Sequence, residues 1–312
     1  MPQSRPPAPF AATATARLTP YPALVDALAT AITDYTAQRI SSPERLVVPL
    51  NEDAVLLSMP ATAPDLAIHK LVNVCPRNRE RGLPTIHGQV MAIEPNTGET
   101  LFILDGPTVT GRRTAAMTML GVRTLSRAAL RDVLLIGTGA QAANHLDAIA
   151  ELYPDALIRV RGSAPARAQA FCDEHAAKVR RMQPLTDDAV PDSVDLVIAL
   201  TTSRTPVYDE APRAGRLVVG VGAFRPDMAE IGACTLHGST VFVDDPAGAK
   251  HEAGDLIQAG VDWAKVSGLA AALNAAPTTA NYDAIARVFK TVGCAAWDLA
   301  AGRVARSVLN AG

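Results

Sequence analysis

Two features of this sequence combine residue types and spacings that could do chemistry. The first is Lys70, inside the apolar run Leu66-Ala67-Ile68-His69-Lys70-Leu71-Val72-Asn73-Val74, where Ile68 and Val72 are its alternate neighbours on one strand face. An ammonium among apolar side chains is costly unless paired. Either it reaches water from a strand end or it serves a site, and the residues alone leave both readings open. The second is Gly137-Thr138-Gly139-Ala140-Gln141-Ala142, which follows the buried run Val133-Leu134-Leu135-Ile136 and opens a helical pattern.

That stretch fits G-x-G-x-x-A. The first glycine makes the turn, the second lets backbone approach a pyrophosphate, and the alanine keeps helix and strand close. The helix N-terminus offers N–H groups and a positive dipole end to the phosphates. The motif is weak alone but points to a dinucleotide when it joins a strand to a helix in a βαβ pattern. A tight turn without a ligand is the alternative. The next strand ends Arg159-Val160-Arg161-Gly162-Ser163-Ala164-Pro165-Ala166-Arg167. Gly162 stands where an acidic residue would hold the ribose hydroxyls of NAD(H). Arg161, Ser163 and Arg167 offer cations and a hydroxyl to a 2′-phosphate, so NADP(H) is expected in preference to NAD(H). Thr201 and Thr202 follow one later strand and Val221 closes another. Both places lie at the carboxyl edge where such sheets bind ligands, so cofactor contacts are expected there.

Elements must hold these residues in place. Helical spacing runs over 21–39. Strand-like runs follow at 45–50, 54–59, 66–74, 88–94 and 100–106, separated by turn residues, which suggests an antiparallel or mixed sheet. A helix is expected over 108–126. From Asp132 onward, strands (132–136, 157–160, 194–200, 216–222, 241–245) alternate with helices (140–151, 165–179), the pattern of a parallel, doubly wound α/β sheet. The chain therefore divides into residues 1–114 and 115–285. The segment 286–312 holds a strand and a long amphipathic helix. Nothing in it suggests continuation of the parallel sheet, so all of it is expected to return to the first domain.

Composition narrows the function classes. Hydrophobic residues make up 48% of 312, charged residues 19%, and net charge is −2. A large core is possible, and no basic run suits nucleic acid or an anionic membrane surface. No apolar stretch reaches the ~18 residues of a membrane span. Residues 1–17, rich in Pro, Ala and Thr, read as a loose tail without a signal-type apolar core. Cys75, Cys172, Cys234 and Cys294 are scattered, as reduced thiols of a cytoplasmic protein would be, and no metal site is expected. His87, one residue outside its expected strand, and His145, in the helix after the glycine loop, have no acid and nucleophile at useful spacing.

The chain resembles the ornithine cyclodeaminase/μ-crystallin family from about Leu24 to Leu309. The resemblance is carried by Pro43-Glu44-Arg45, His69-Lys70-Leu71-Val72-Asn73-Val74, Gly82-Leu83-Pro84-Thr85, Ile93-Glu94-Pro95-Asn96-Thr97-Gly98, Leu104-Asp105-Gly106, Arg113-Thr114-Ala115-Ala116, the glycine loop and Phe289-Lys290-Thr291-Val292-Gly293. It implies a Rossmann domain inserted into an α+β substrate and dimerisation domain built from both chain ends, hence a homodimer. It also implies a nicotinamide cofactor and a small amino- or imino-acid substrate. Lys70 matches the family's active-site lysine, and Arg45 and Arg113 its carboxylate-binding arginines, with Arg112 pointing elsewhere. Thr85 matches a contact at the nicotinamide end, and Thr291 and Arg113 match further cofactor positions. The family offers three functions: reduction of a cyclic imine or ketimine, cyclodeamination of ornithine, and non-catalytic ligand binding. Its cyclodeaminases carry a proton-handling aspartate where this chain has Phe224. Asp227 and Glu230 beyond it read as a helix-capping pair. Imine reduction is therefore expected.

Overall fold

The computed structural model describes residues 7–126, 129–275 and 285–311. The chain forms two compact units, Met1–Thr114 with Cys294–Gly312, and Ala115–Gly293. In the first, β1 (Ala8–Phe10) and α1 (Ala12–Leu18) precede α2 (Tyr21–Thr36). The meander β2 (Leu46–Pro49), β3 (Val55–Thr62), β4 (Ala67–Val74), β5 (Ile86–Ile93) and β6 (Thr100–Asp105) follows, and α3 (Gly106–Leu125) begins in this unit. The sheet order is β1-β6-β5-β4-β3-β2. The meander is antiparallel, while β1 joins β6 in parallel, so the sheet is mixed.

The segment read as a loose tail is thus structured from β1 onward. Phe10 packs edge-on against Phe102 at 6.5 Å. The Thr15 hydroxyl donates to the Phe10 carbonyl and accepts the Asp105 N–H. A three-residue strand is too short to show a period, and its partner lies far along the chain.

The second unit carries β7 (Asp132–Ile136), α4 (Ala140–Leu152), β8 (Leu157–Arg161), α5 (Pro165–His175), β9 (Met182–Pro184), β10 (Leu196–Ala199) and β11 (Leu217–Gly220). Then come α6 (Ala233–His237), β12 (Thr240–Val243), α7 (Pro246–Glu252), α8 (Gly254–Ala259), β13 (Ser267–Gly268), α9 (Leu269–Asn274) and β14 (Arg287–Lys290). All pairings are parallel, in the order β13-β12-β14-β11-β10-β7-β8-β9. From β7 the order runs one way through β8 and the other through β10. The crevice outside the carboxyl ends of β7 and β10 is therefore the topological switch point, where such sheets bind ligands.

β14 corrects the expectation for 286–312: it lies between β11 and β12 in the parallel sheet. Its sequence, Arg-Val-Phe-Lys, hides this because cations stand at both ends. All four residues are buried, and Lys290 pays for its place by pairing with Asp255 at 2.7 Å. Only α10 (Ala295–Ala311) belongs to the first unit. It packs on α2 and across β3 and β4, with buried Trp297 edge-on to Tyr35 at 5.6 Å. The absence of a side chain at Gly302 brings it close, since a Cβ there would lie 3.1 Å from Ile68.

Candidate active site

β4 presents Lys70 toward α10, level with Met59 of β3 and Val90 of β5, both buried. Lys70 is 2% exposed, so it does not reach water from a strand end. Instead its Nζ lies 2.5 Å from Oδ2 of Asp298, which is fully buried on α10. Oδ1 of Asp298 accepts from Nε of Arg113 on α3 at 3.2 Å. Burial draws the Lys70 ammonium down to about 8. Arg113 and Arg45 push the same way by like-charge repulsion, and Asp298 opposes them. Lys70 and Arg113 thus share one carboxylate, with Arg45 near enough to repel the ammonium. Arg112 turns away: its Nε donates to the Thr19 carbonyl at 2.8 Å, and its guanidinium stacks 3.9 Å from the Tyr21 ring centre. Thr85 lies in the turn into β5, its carbonyl accepting the Cys75 N–H at 2.7 Å.

Sequence reasoning missed Asp298. A signal was present: one acid inside the apolar run Ala295-Ala296-Trp297-Asp298-Leu299-Ala300-Ala301 at the start of a helix. A buried carboxylate demands a cation or hydrogen-bond donors.

In the second unit the ladder lines up the other candidates along one edge. Gly137 donates to the Arg161 carbonyl at 2.8 Å, Val221 to that of Ala199 at 3.1 Å, and Thr291 to that of Gly220 at 3.1 Å. Gly137 has φ +126°, and a Cβ there would lie 2.7 Å from the Leu200 carbonyl oxygen, so only glycine makes this turn. Gly139 caps α4 without a side-chain hydrogen bond, and a Cβ built on it meets no atom within 4 Å. The Oε1 of Gln141 is buried without a partner. The first-turn N–H groups of α4, which have no partner within a helix, the open space beside Gly139 and the orphaned Gln141 acceptor fit a dinucleotide pyrophosphate and ribose. At the end of β8, a Cβ at Gly162 would crowd the Ala168 nitrogen at 3.0 Å. Ser163 and Arg167 are exposed. Nη2 of Arg161 donates to the carbonyls of Asp187 and Asp188 at 2.9 and 3.0 Å. The Thr291 hydroxyl donates to Asp244 at 2.7 Å, leaving its oxygen as an acceptor.

Asp227 and Glu230 are not a capping pair, because no helix starts between them. Asp227 is exposed, and its fork with Arg225, at 3.0 and 2.9 Å, holds its carboxyl below the usual range. Glu230 is fully buried. It accepts from the Thr201 N–H, from the Thr201 hydroxyl at 2.9 Å, and from the N–H groups of Gly222 and Ala223 at 2.5 and 3.1 Å. One carboxylate therefore ties the loop after β10 to the loop after β11, beside exposed Thr202. Burial pushes the Glu230 carboxyl up. Phe224 in the same loop is 39% exposed. His87 lies inside β5 rather than outside it and is exposed. His145 is a core residue whose Nδ1–H must donate to the Gln141 carbonyl, leaving Nε2 to accept from Thr118 at 2.9 Å. Burial lowers its pKa to about 4, so it stays neutral. Among the described residues, no three His, Cys, Asp or Glu are grouped to hold a metal ion.

Residues 11–312 match the model of the ornithine cyclodeaminase/mu-crystallin family. The chain belongs to this family. Among its relatives, Delta(1)-pyrroline-2-carboxylate reductase 2 of Burkholderia ambifaria is 59% identical over 302 residues, covering 97% of this chain and 96% of that protein. The Delta(1)-pyrroline-2-carboxylate/Delta(1)-piperideine-2-carboxylate reductase of Azospirillum brasilense is 59% identical over 303 residues, with the same coverage of 97% and 96%. The family fold is seen in Thermococcus litoralis Delta(1)-pyrroline-2-carboxylate reductase, solved with NADH and L-proline (TM-score 0.85, 22% identity, 98% of each chain). It is seen again in an archaeal alanine dehydrogenase dimer with bound NAD (TM-score 0.85, 21% identity, 98% of this chain and 96% of that one).

Proposed function

We propose that this chain is an NAD(P)H-dependent reductase that converts small cyclic imino acids, of the 1-pyrroline-2-carboxylate and 1-piperideine-2-carboxylate type, to L-amino acids. The observation that carries the reading is 59% identity, across nearly the whole chain, to bacterial proteins named for that reaction. The buried cluster supplies its chemistry. Arg113 and Arg45 grip the substrate carboxylate through paired hydrogen bonds. Lys70 holds a proton below about pH 8 and gives it to the imine nitrogen, which makes the C=N carbon a better hydride acceptor. The nicotinamide cofactor, when bound, supplies the hydride. Gly137, Gly139, Ala140 and Gln141 would hold its pyrophosphate, with Thr85, Thr201, Thr202, Val221 and Thr291 as further contacts.

The finer cofactor reading is NADP(H) over NAD(H). It rests on the tight space at Gly162, which disfavours an acidic side chain there, and on exposed Ser163 and Arg167. Arg161 contributes less than its position suggests, because backbone carbonyls already occupy one end of its guanidinium. The working form is a homodimer. Leu46, Ser58 and Leu71 lie in register on the sheet face opposite Lys70, and Leu46 and Leu71 are 60% and 37% exposed, an apolar face suited to a second copy. The compartment is the cytoplasm, in keeping with four free thiols. Among the described residues, no helix is long and apolar enough to cross a membrane.

The test is oxidation of NADPH and of NADH with both cyclic imines, run beside ammonia release from ornithine. Reduction of the imines with negligible ornithine turnover is expected, as Phe224 has no proton to exchange. Robust conversion of ornithine to proline would overturn the reading.

A further inference from the structure

Lys70 and Arg113 share one carboxylate that no sequence motif singled out. Asp298 spends one oxygen on each, at 2.5 and 3.2 Å. Arg113 gives it only Nε, so the terminal nitrogens of the guanidinium remain to fork a substrate carboxylate. The groups facing Lys70 are few. β3 and β5 offer Met59 and Val90, which carry no charge. Its chain neighbour His69 points to the other face and bonds Ser58 at 2.8 Å. α3 brings Arg113, the segment before β2 brings Arg45, and both repel the ammonium; α10 brings Asp298, which attracts it. Without Asp298 the lysine would stand buried against two like charges, which favours its neutral form. With Asp298 charged, Lys70 and Arg113 still set two positive charges against one negative, and a bound monocarboxylate balances them.

We infer that Asp298 is a positioning residue of the reductase: it keeps Lys70 protonated as the proton donor and aims Arg113 at the substrate carboxylate. The inference rests on the imine-reductase reading above. It assigns α10 a role in the reaction besides closing the first unit's core.

The decisive variant is Asp298→Asn, which keeps the shape and removes the charge. In the wild type, kcat with 1-pyrroline-2-carboxylate and NADPH should fall as pH rises through about 8, the pKa of Lys70. In Asp298→Asn that falling limb should move to lower pH by about 1 unit or more, since one close opposite charge shifts a pKa by about 1–3 units. Activity should then recover as pH is lowered, and KM for the imine should rise by about tenfold or more as Arg113 loses its anchor. A uniform loss at every pH with the limb unmoved would make Asp298 merely structural and overturn the inference. A second readout needs no turnover: the 13Cε resonance of Lys70, assigned with Lys70→Arg, is titrated in both proteins. A lower midpoint in Asp298→Asn supports the inference, and an unchanged midpoint overturns it. If the wild type fails to reduce the imine while the resonance still shifts, the substrate reading has failed and the electrostatic link stands. Should Asp298→Asn not fold, Asp298→Ser is read by the same titration.

Discussion

Lys70 holds its proton less firmly than a solvated lysine because burial and two arginines disfavour the charge, while Asp298 restores part of it. The group is a cation below about pH 8 and neutral above it, so a step that needs its proton is present at neutral pH and lost on the alkaline side. Lys70→Met should lower kcat by about 10²–10⁴-fold, the usual worth of a positioned acid, and leave cofactor affinity near wild type, as titration of NADPH fluorescence would show. Gly139→Val tests the other unit. The open space around Gly139 lets the fold accept the branched side chain, which then fills the place of the pyrophosphate. Cofactor affinity should fall by about 100-fold or more with the melting temperature unchanged. Unchanged affinity would remove the phosphate reading of the glycine loop. Asp227 lies in a surface ion pair, so Asp227→Asn should leave imine reduction as it was.

A buried polar chain runs along the carboxyl edge of the parallel strands. Lys290 at the end of β14 pairs with Asp255 of α8 at 2.7 Å. Asp255 takes the N–H groups of Glu230 and Ile231, and Glu230 ties the loops after β10 and β11. Removing one partner of such a buried pair leaves the other uncompensated. Lys290→Met should therefore cost about 3–5 kcal/mol, measured by urea unfolding. Glu230→Gln has a different expected signature. An amide accepts through one oxygen where the carboxylate uses two, so the loops carrying Thr201 and Val221 loosen. The Kd for NADPH should rise, by about tenfold for roughly 1.4 kcal/mol, with the KM for the imine little changed. A rise confined to the imine would show that these loops do not serve the cofactor.

At the scale of the molecule, the proposed homodimer would use the exposed row on β2 and β4. Leu46→Asp with Leu71→Asp places charges on the apolar face without disturbing the face that carries Lys70. Sedimentation velocity should show a dimer for the wild type and a monomer for the double variant. A dimer that survives both charges would locate the interface elsewhere.

The sequence by itself determined what is local. Gly137 and Gly139 act through the backbone of their own turn, so strand, loop and helix were legible together. Lys70 was conspicuous because its neighbours at i−2 and i+2 are apolar. The alternation of strands and helices after Asp132 gave the parallel sheet its class. Tertiary structure alone decided what depends on contacts between distant segments. β1 has three residues and no period, and only β6 makes it a strand. β14 reads as polar until Lys290 meets Asp255 and the sheet closes around it. Asp227 and Glu230 have the spacing of a helix cap, yet one is a surface ion pair and the other a buried tie between loops. Asp298 shows the same limit: no cation stands within four residues of it, and only α10 lying on β4 puts its two oxygens between Lys70 and Arg113. Charge pairing falls off with distance in space rather than with separation along the chain, and in an apolar interior, where no water can stand in for a partner, that distance sets which groups stay charged.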